Sequence, residues 1–153
     1  MKLKLAVALI FLQIGIHAQE LTWHTDINKA IELSLKEKKT LFLFFTGSDW
    51  CGWCIRLQNE VFKKAEFVQW AQKNVILVEL DYPKRKKLEA QLTQQNLELQ
   101  NIFGVRGYPT IWFANPEKKK DKSINLQQLG KTGYVAGGPE KWLPVANQIM
   151  GIK

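Results

Sequence analysis

An α/β fold, one central β-sheet flanked by helices, follows from three features of this 153-residue sequence. Two nearly continuous apolar runs, over 41–45 and 75–80, read as strands buried on both faces. Stretches with apolar residues three and four apart separate them, as expected of helices that cover a sheet. A third apolar run, over 110–114, leads into an alternating segment and a last amphipathic stretch, which adds a hairpin and a closing helix. The length suits one domain, and a composition that is 46% hydrophobic and 24% charged excludes a disordered chain. There is neither an internal repeat nor a second domain.

The first segment, 1–18, reads as a signal peptide. Lys2 and Lys4 form a positive start, and residues 5–12 form an apolar run too short for a relaxed membrane span. Ile16-His17-Ala18 is an imperfect small-x-small cleavage site, and a retained N-terminal anchor is the alternative. The expected domain is therefore 19–153, exported from the cytosol, with no stable membrane insertion after cleavage. Its 20 basic and 14 acidic side chains leave a net charge of +6. The basic residues gather in Lys84-Arg85-Lys86-Lys87 and Lys118-Lys119-Lys120, each beside a Pro, which reads as solvated loops rather than a nucleic-acid surface. No nucleic-acid partner is expected.

Within the domain, 21–24 is a short extended start. Asp26 caps a helix running to about residue 38, with Ile27, Ala30, Ile31 and Leu35 on one face. The strand over 41–45 ends in the turn cluster Thr46-Gly47-Ser48-Asp49. A helix follows over 51–64, with Cys54, Leu57, Val61 and Phe62 inward, and a second over 66–73 carries Phe67, Trp70 and Ala71. The strand over 75–80 stops at Asp81-Tyr82-Pro83. Residues 87–103 are helical by composition, with Leu88, Leu92, Leu99 and Phe103 as core, and Gly104 ends them. After the strand over 110–114, Asn115-Pro116 opens a turn, and 124–130 returns as the hairpin partner. Gly137-Gly138-Pro139 starts the last helix, with Trp142, Val145, Ala146 and Ile149 on one face.

The chemistry sits in Cys51-Gly52-Trp53-Cys54, a C-x-x-C placed after a buried strand and at the start of a helix. A sulfur at a helix N-terminus faces free backbone N–H groups and the positive end of the dipole, which favour the thiolate. Cys51 is therefore the expected exposed, attacking thiol, and Cys54, one turn deeper, the shielded resolving one. Two bland readings remain at this point. Half a zinc site would need His24 and further ligands, and no metal is expected. An inert staple would close a loop too small to contribute much.

A second segment, Val105-Arg106-Gly107-Tyr108-Pro109-Thr110, places an X-Pro bond directly before a strand. It is a candidate cis peptide that could offer a strand edge to an extended polypeptide, or else an ordinary trans turn.

Together, the segment 44–54 (FFTGSDWCGWC) and the segment 105–110 (VRGYPT) resemble the active-site and cis-proline segments of the thioredoxin superfamily. The nearest likeness is to secreted bacterial thioredoxin-like proteins with a lengthened loop before the first Cys, which implies export across the inner membrane to the periplasm. The resemblance spans 23–150 and implies a thioredoxin-like fold with a central mixed sheet. It further implies a thiol–disulfide oxidoreductase acting on protein disulfides, more a reductase than an oxidase. Cys51 and Cys54 would be catalytic, Trp50, Trp53, Tyr108 and Pro109 would meet the substrate, and Pro109 would lie against the Cys pair. No cofactor is implied beyond the redox-active Cys51–Cys54 disulfide. Partners would be protein thiols or disulfides and an unidentified electron donor or acceptor, and the chain would be a monomer. The alternatives are a polypeptide-binding module of the same fold with little redox turnover, or an isomerase or oxidase.

The sequence departs from the family pattern in two places. The buried carboxylate usual before the motif is replaced by Phe45, or by Phe44 if the loop is one residue longer. Glu79 is the candidate substitute for proton relay. The dipeptide Gly52-Trp53 brings no charge between the sulfurs.

Overall fold

A computed structural model describes residues 20–152. The expected signal peptide over 1–18 and its cleavage point lie outside the described residues. Five strands form one mixed sheet in the order β1-β3-β2-β4-β5: β1 (Trp23–His24), β2 (Thr40–Thr46), β3 (Val75–Asp81), β4 (Thr110–Lys118) and β5 (Ile124–Thr132). β1 and β2 run parallel to β3, whereas β4 is antiparallel to β2 and β5.

The strands buried on both faces divide the core in two by pleat parity. Leu41, Leu43 and Phe45 of β2, with Ile76, Val78 and Leu80 of β3, face α1 (Ile27–Glu37) and α4 (Ala90–Ile102). Phe42 and Phe44, with Val75 and Leu77, face α2 (Gly52–Leu57), α3 (Ala65–Asn74) and α5 (Gly138–Met150). The second cluster is largely aromatic. Phe42 meets the rings of Trp23, Phe62, Phe67, Phe113 and Trp142 at centroid distances of 5.5–5.9 Å. Such pairs stabilise beyond simple burial by about 0.5–1.5 kcal/mol each.

Several elements end where local chemistry directs. Asp26 accepts hydrogen bonds from Asn28 N and Lys29 N and so caps α1. Gly137 precedes α5 with φ +105°, which a side chain would resist. α5 continues through Pro144.

Three expectations are corrected. The single helix over 51–64 is instead α2 followed by a π-helical turn, Gln58–Phe62, closed by Lys63 N to Gln58 O. The wider turn lets the consecutive Val61 and Phe62 both enter the core. The expected turn at Asn115-Pro116 lies inside β4, and the chain reverses between Lys119 and Ser123. Pairing with β2 stops at Leu41–Ala114, so Pro116 sits where β4 has β5 alone as neighbour and a missing N–H is tolerated. Finally, α4 starts at Ala90, and Leu88 and Leu92 are only partly covered; Asn96 is buried beside Leu99. Asn96 donates to Asp81 O, and its own carbonyl accepts from the Tyr82 hydroxyl.

Candidate active site

The turn after β2 is clamped before it reaches the first sulfur. Cys51 N and Trp50 N both donate to Gly47 O. Asp81, at the end of β3, accepts from Ser48 N at 2.8 Å and Ser48 Oγ at 2.6 Å, and pairs with Lys86 Nζ at 3.0 Å. Asp49 accepts from the backbone N–H groups of Lys84, Arg85 and Lys86. Two carboxylates that the sequence offered only as a turn signal and a strand end therefore join this turn to the loop after β3.

Cys51 takes the N-cap position of α2, and Cys54 N donates to Cys51 Sγ at 3.2 Å. The helix-terminus argument thus has a visible local form: a backbone N–H directed at the sulfur. The two Cys are joined as a disulfide. Cys54 is fully buried, but Cys51 is only 6% exposed, which corrects the expectation of an openly exposed first thiol. Tyr108 and Tyr134 pack against the cluster that holds both sulfurs.

On one side stands Trp50. Its Nε1 donates to Tyr82 O at 2.7 Å, its ring meets Tyr108 edge-on at 5.7 Å, and Lys84 Nζ lies 4.0 Å from its centroid. Tyr108 also meets Tyr82 at 5.1 Å. Burial raises the pKa of both phenols, so they act here as neutral aromatic surface. On the other side Trp53, 54% exposed, meets Tyr134 at 5.0 Å. Arg56 lies over both rings and pairs with Glu60, which also accepts from the Tyr134 hydroxyl. The Tyr108–Pro109 peptide is cis, and Pro109 leads into β4. Tyr134 was not foreseen, because a lone aromatic in a loop carries no periodic signal; nor was the role of Asp49.

Trp50 also depends on Gly47. A Cβ on Gly47 would lie 2.4 Å from Trp50 Cε2 and 2.5 Å from its Nε1. Gly47→Ala should displace the indole, break its bond to Tyr82 O and cost about 1–3 kcal/mol as overpacking does. Tryptophan fluorescence and denaturant unfolding would read both effects; unchanged emission and stability would refute the contact.

The open choice between Phe44 and Phe45 is decided by parity. Phe44 is on the face that packs Cys51 and Cys54, and Phe45 on the opposite one. Glu79 is the cross-strand partner of Phe44 and, following Val75 and Leu77 at steps of two, points to the same face. It is half-buried. Burial, then the charge of Asp81, push its carboxyl above the ordinary value, with Lys86 pulling the other way. The Thr46 hydroxyl shares that face by parity, fully buried and with no hydrogen-bond partner among the described residues.

A raised carboxyl has a definite sign in stability. The folded state holds the Glu79 proton to higher pH than the unfolded chain, so stability is full below the unfolded value of about 4.3 and falls as pH rises through the folded value. Glu79→Gln removes that loss. Its Tm should match the parent at acidic pH and exceed it at neutral pH; parallel Tm profiles would contradict the assignment.

Fold and site together define a class. An α/β sheet carrying a C-x-x-C disulfide at a helix N-terminus, one sulfur capped by a backbone N–H and the other sealed in the core, is a thiol–disulfide oxidoreductase of thioredoxin fold. The chain belongs to the thioredoxin-like domain family, whose profile matches residues 27–120. It is 35% identical over 121 residues to the disulfide bond reductase DsbH of Chlamydia pneumoniae, covering 79% of this chain and 72% of that one. It is 29% identical over 120 residues to the thioredoxin-related protein DsbJ of the same organism, of whose length it spans only 33%. Among solved structures, a DsbH oxidoreductase superposes with a TM-score of 0.78 at 28% identity, over 97% of this chain and 96% of the other. A thioredoxin from Thermus thermophilus, at TM-score 0.58 and 14% identity over 86% of each chain, shares the fold.

Proposed function

We propose that this protein reduces disulfides in other proteins, with Cys51 as nucleophile and Cys54 as resolving thiol. The carrying observation is the inequality of the two sulfurs: a small part of Cys51 is reachable and receives the Cys54 N–H, while Cys54 is wholly covered. The Cys51 thiolate attacks one substrate sulfur; the substrate S–S bond breaks, a mixed disulfide forms, and the departing thiolate takes a proton. Cys54 then gives up its proton and attacks Cys51 Sγ, which releases the second substrate thiol and leaves the Cys51–Cys54 disulfide. The substrate gains two electrons and two protons, so a separate dithiol donor must reduce the pair again.

Trp50 and Tyr108 on one side, and Trp53 on the other, form the rim on which a polypeptide lies, with Pro109 at the floor. Glu79 takes the Cys54 proton, a role supported by its face and its raised pKa. The reducing direction is supported by the likeness to a protein named as a disulfide bond reductase. Export by the segment 1–18, work in the periplasm and a monomeric state complete the reading; among the described residues no helix is long and apolar enough to cross a membrane.

Equilibration of the Cys51–Cys54 pair against glutathione is the test. A potential of about −180 to −270 mV is expected, and one near −120 mV would mark an oxidant and refute the direction.

A further inference from the structure

Four consecutive cations, Lys84 to Lys87, read in the sequence as a solvated loop, yet the structure pins them to the active site. Asp49, two residues before Cys51, holds the loop by three backbone N–H groups, and Trp50 Nε1 holds the residue before its Pro. Lys84 Nζ sits on the Trp50 ring. Lys86 is engaged by Asp81, but Lys84, Arg85 and Lys87 are exposed and, among the described residues, have no carboxylate within ion-pairing distance. On the opposite rim Arg56 is already paired with Glu60, and Lys64 lines the same hollow. Beside Trp50, then, three cations without an ion-pair partner stand together on a loop whose carboxylates, Asp49 and Asp81, hold its backbone and Lys86.

We infer that this anchored basic loop is a specificity surface, which selects disulfide substrates carrying acidic residues beside the reacting cystine. The inference rests on the proposed exchange at Cys51. A polypeptide whose sulfur reaches Cys51 across the Trp50 rim brings its flanking residues to the loop that carries Lys84, Arg85 and Lys87. Carboxylates there are attracted and lysines repelled. Because Asp49 ties the loop at the backbone, the charges are held in place before binding, and little order has to be imposed on encounter. An acidic polypeptide is favoured over a membrane surface because the patch is continuous with the rim around the sulfurs.

The test is single-turnover oxidation of the reduced protein by two synthetic peptides. Each has one intrachain disulfide, and they differ only in an Asp-Asp or Lys-Lys pair beside the cystine. At about 20 mM salt the acidic peptide should react on the order of tenfold faster, and in 1 M salt, where screening reaches about 3 Å, the ratio should approach one. Arg85→Gln/Lys87→Gln, which leaves Lys84 on Trp50, should remove most of the preference. Lys119→Gln/Lys120→Gln deletes the same charge at the β4–β5 turn, on the order of 25 Å along β4 from Pro109, and should keep it. Equal rates for the two peptides in the parent, a preference that survives the loop variant, or an equal loss in both variants would overturn the inference. So would vesicle binding, with anionic phosphatidylglycerol as probe, that the loop variant loses while the peptide ratio stays unchanged. Failure to react with either peptide or with a small neutral disulfide would instead refute the exchange reading itself.

Discussion

Cys54→Ala is expected to turn the protein into a trap that accumulates mixed disulfides with its substrates, whereas Cys51→Ser is expected to stop exchange altogether. The asymmetry comes from access and from one hydrogen bond. Cys54 has no exposed surface, so it cannot begin an attack on an outside disulfide. Cys51 has some, and the group that points at its sulfur is the backbone N–H of residue 54. Ala at 54 keeps that N–H and deletes only the resolving sulfur, so the first step proceeds and the second has no intramolecular nucleophile. Ser at 51 keeps the shape and removes the thiolate, and loss of a covalent nucleophile lowers turnover by several orders of magnitude. Non-reducing gels of each variant after incubation with a disulfide-bonded protein would show the difference. Trapping by Cys51→Ser rather than by Cys54→Ala would reverse the roles.

Trp142→Ala is expected to cause the largest loss of stability of any substitution considered. Trp142 is fully buried and its ring meets Phe42, Phe62, Phe67, Trp70 and Phe113. Truncating a buried Trp costs about 3–5 kcal/mol, a large share of the 5–15 kcal/mol that holds a typical domain. Thermal unfolding should fall by on the order of 10–20 °C. The milder Trp142→Phe separates packing from positioning. It loses the bond from Nε1 to Gly133 O, which fastens α5 to the loop carrying Tyr134. A Cβ on Gly133 would lie only 3.2 Å from Pro109 O, so that loop also abuts the start of β4. Trp142→Phe should therefore keep the fold but raise KM for protein substrates more than for a small disulfide. Equal effects on both would show that Trp142 acts on stability alone.

The Cys pair and the strands around it were legible from the chain because each rests on local pattern. A short apolar run without alternation, bounded by turn residues, suits an interior strand, and β2 and β3 appear where those runs lie. Asp26 caps α1 because its carboxylate reaches N–H groups two and three residues on. Cys51 begins a helix because a turn cluster and then helical spacing surround it.

Other features depend on neighbours rather than on spacing. The hairpin turn opens at Lys119, four residues later than the sequence predicts, because Pro116 reads as a breaker and its tolerance depends on β2 ending opposite Ala114. Asn96 carries no apolar signal, yet it is buried because the Asp81 carbonyl and Tyr82 hydroxyl are there to bond it. By itself, then, the sequence determined the layer order of the fold and the position of the thiols, since both depend on residues within a helical turn or a strand's length. Only the tertiary structure decided which Phe faces the sulfurs, that Glu79 shares that face, and that Asp49, Lys84 and Tyr134 belong to the site. Those facts hang on strand parity and on contacts spanning 33 to 74 residues of chain, such as Ser48 with Asp81 and Glu60 with Tyr134, and no local periodicity encodes which distant residue arrives.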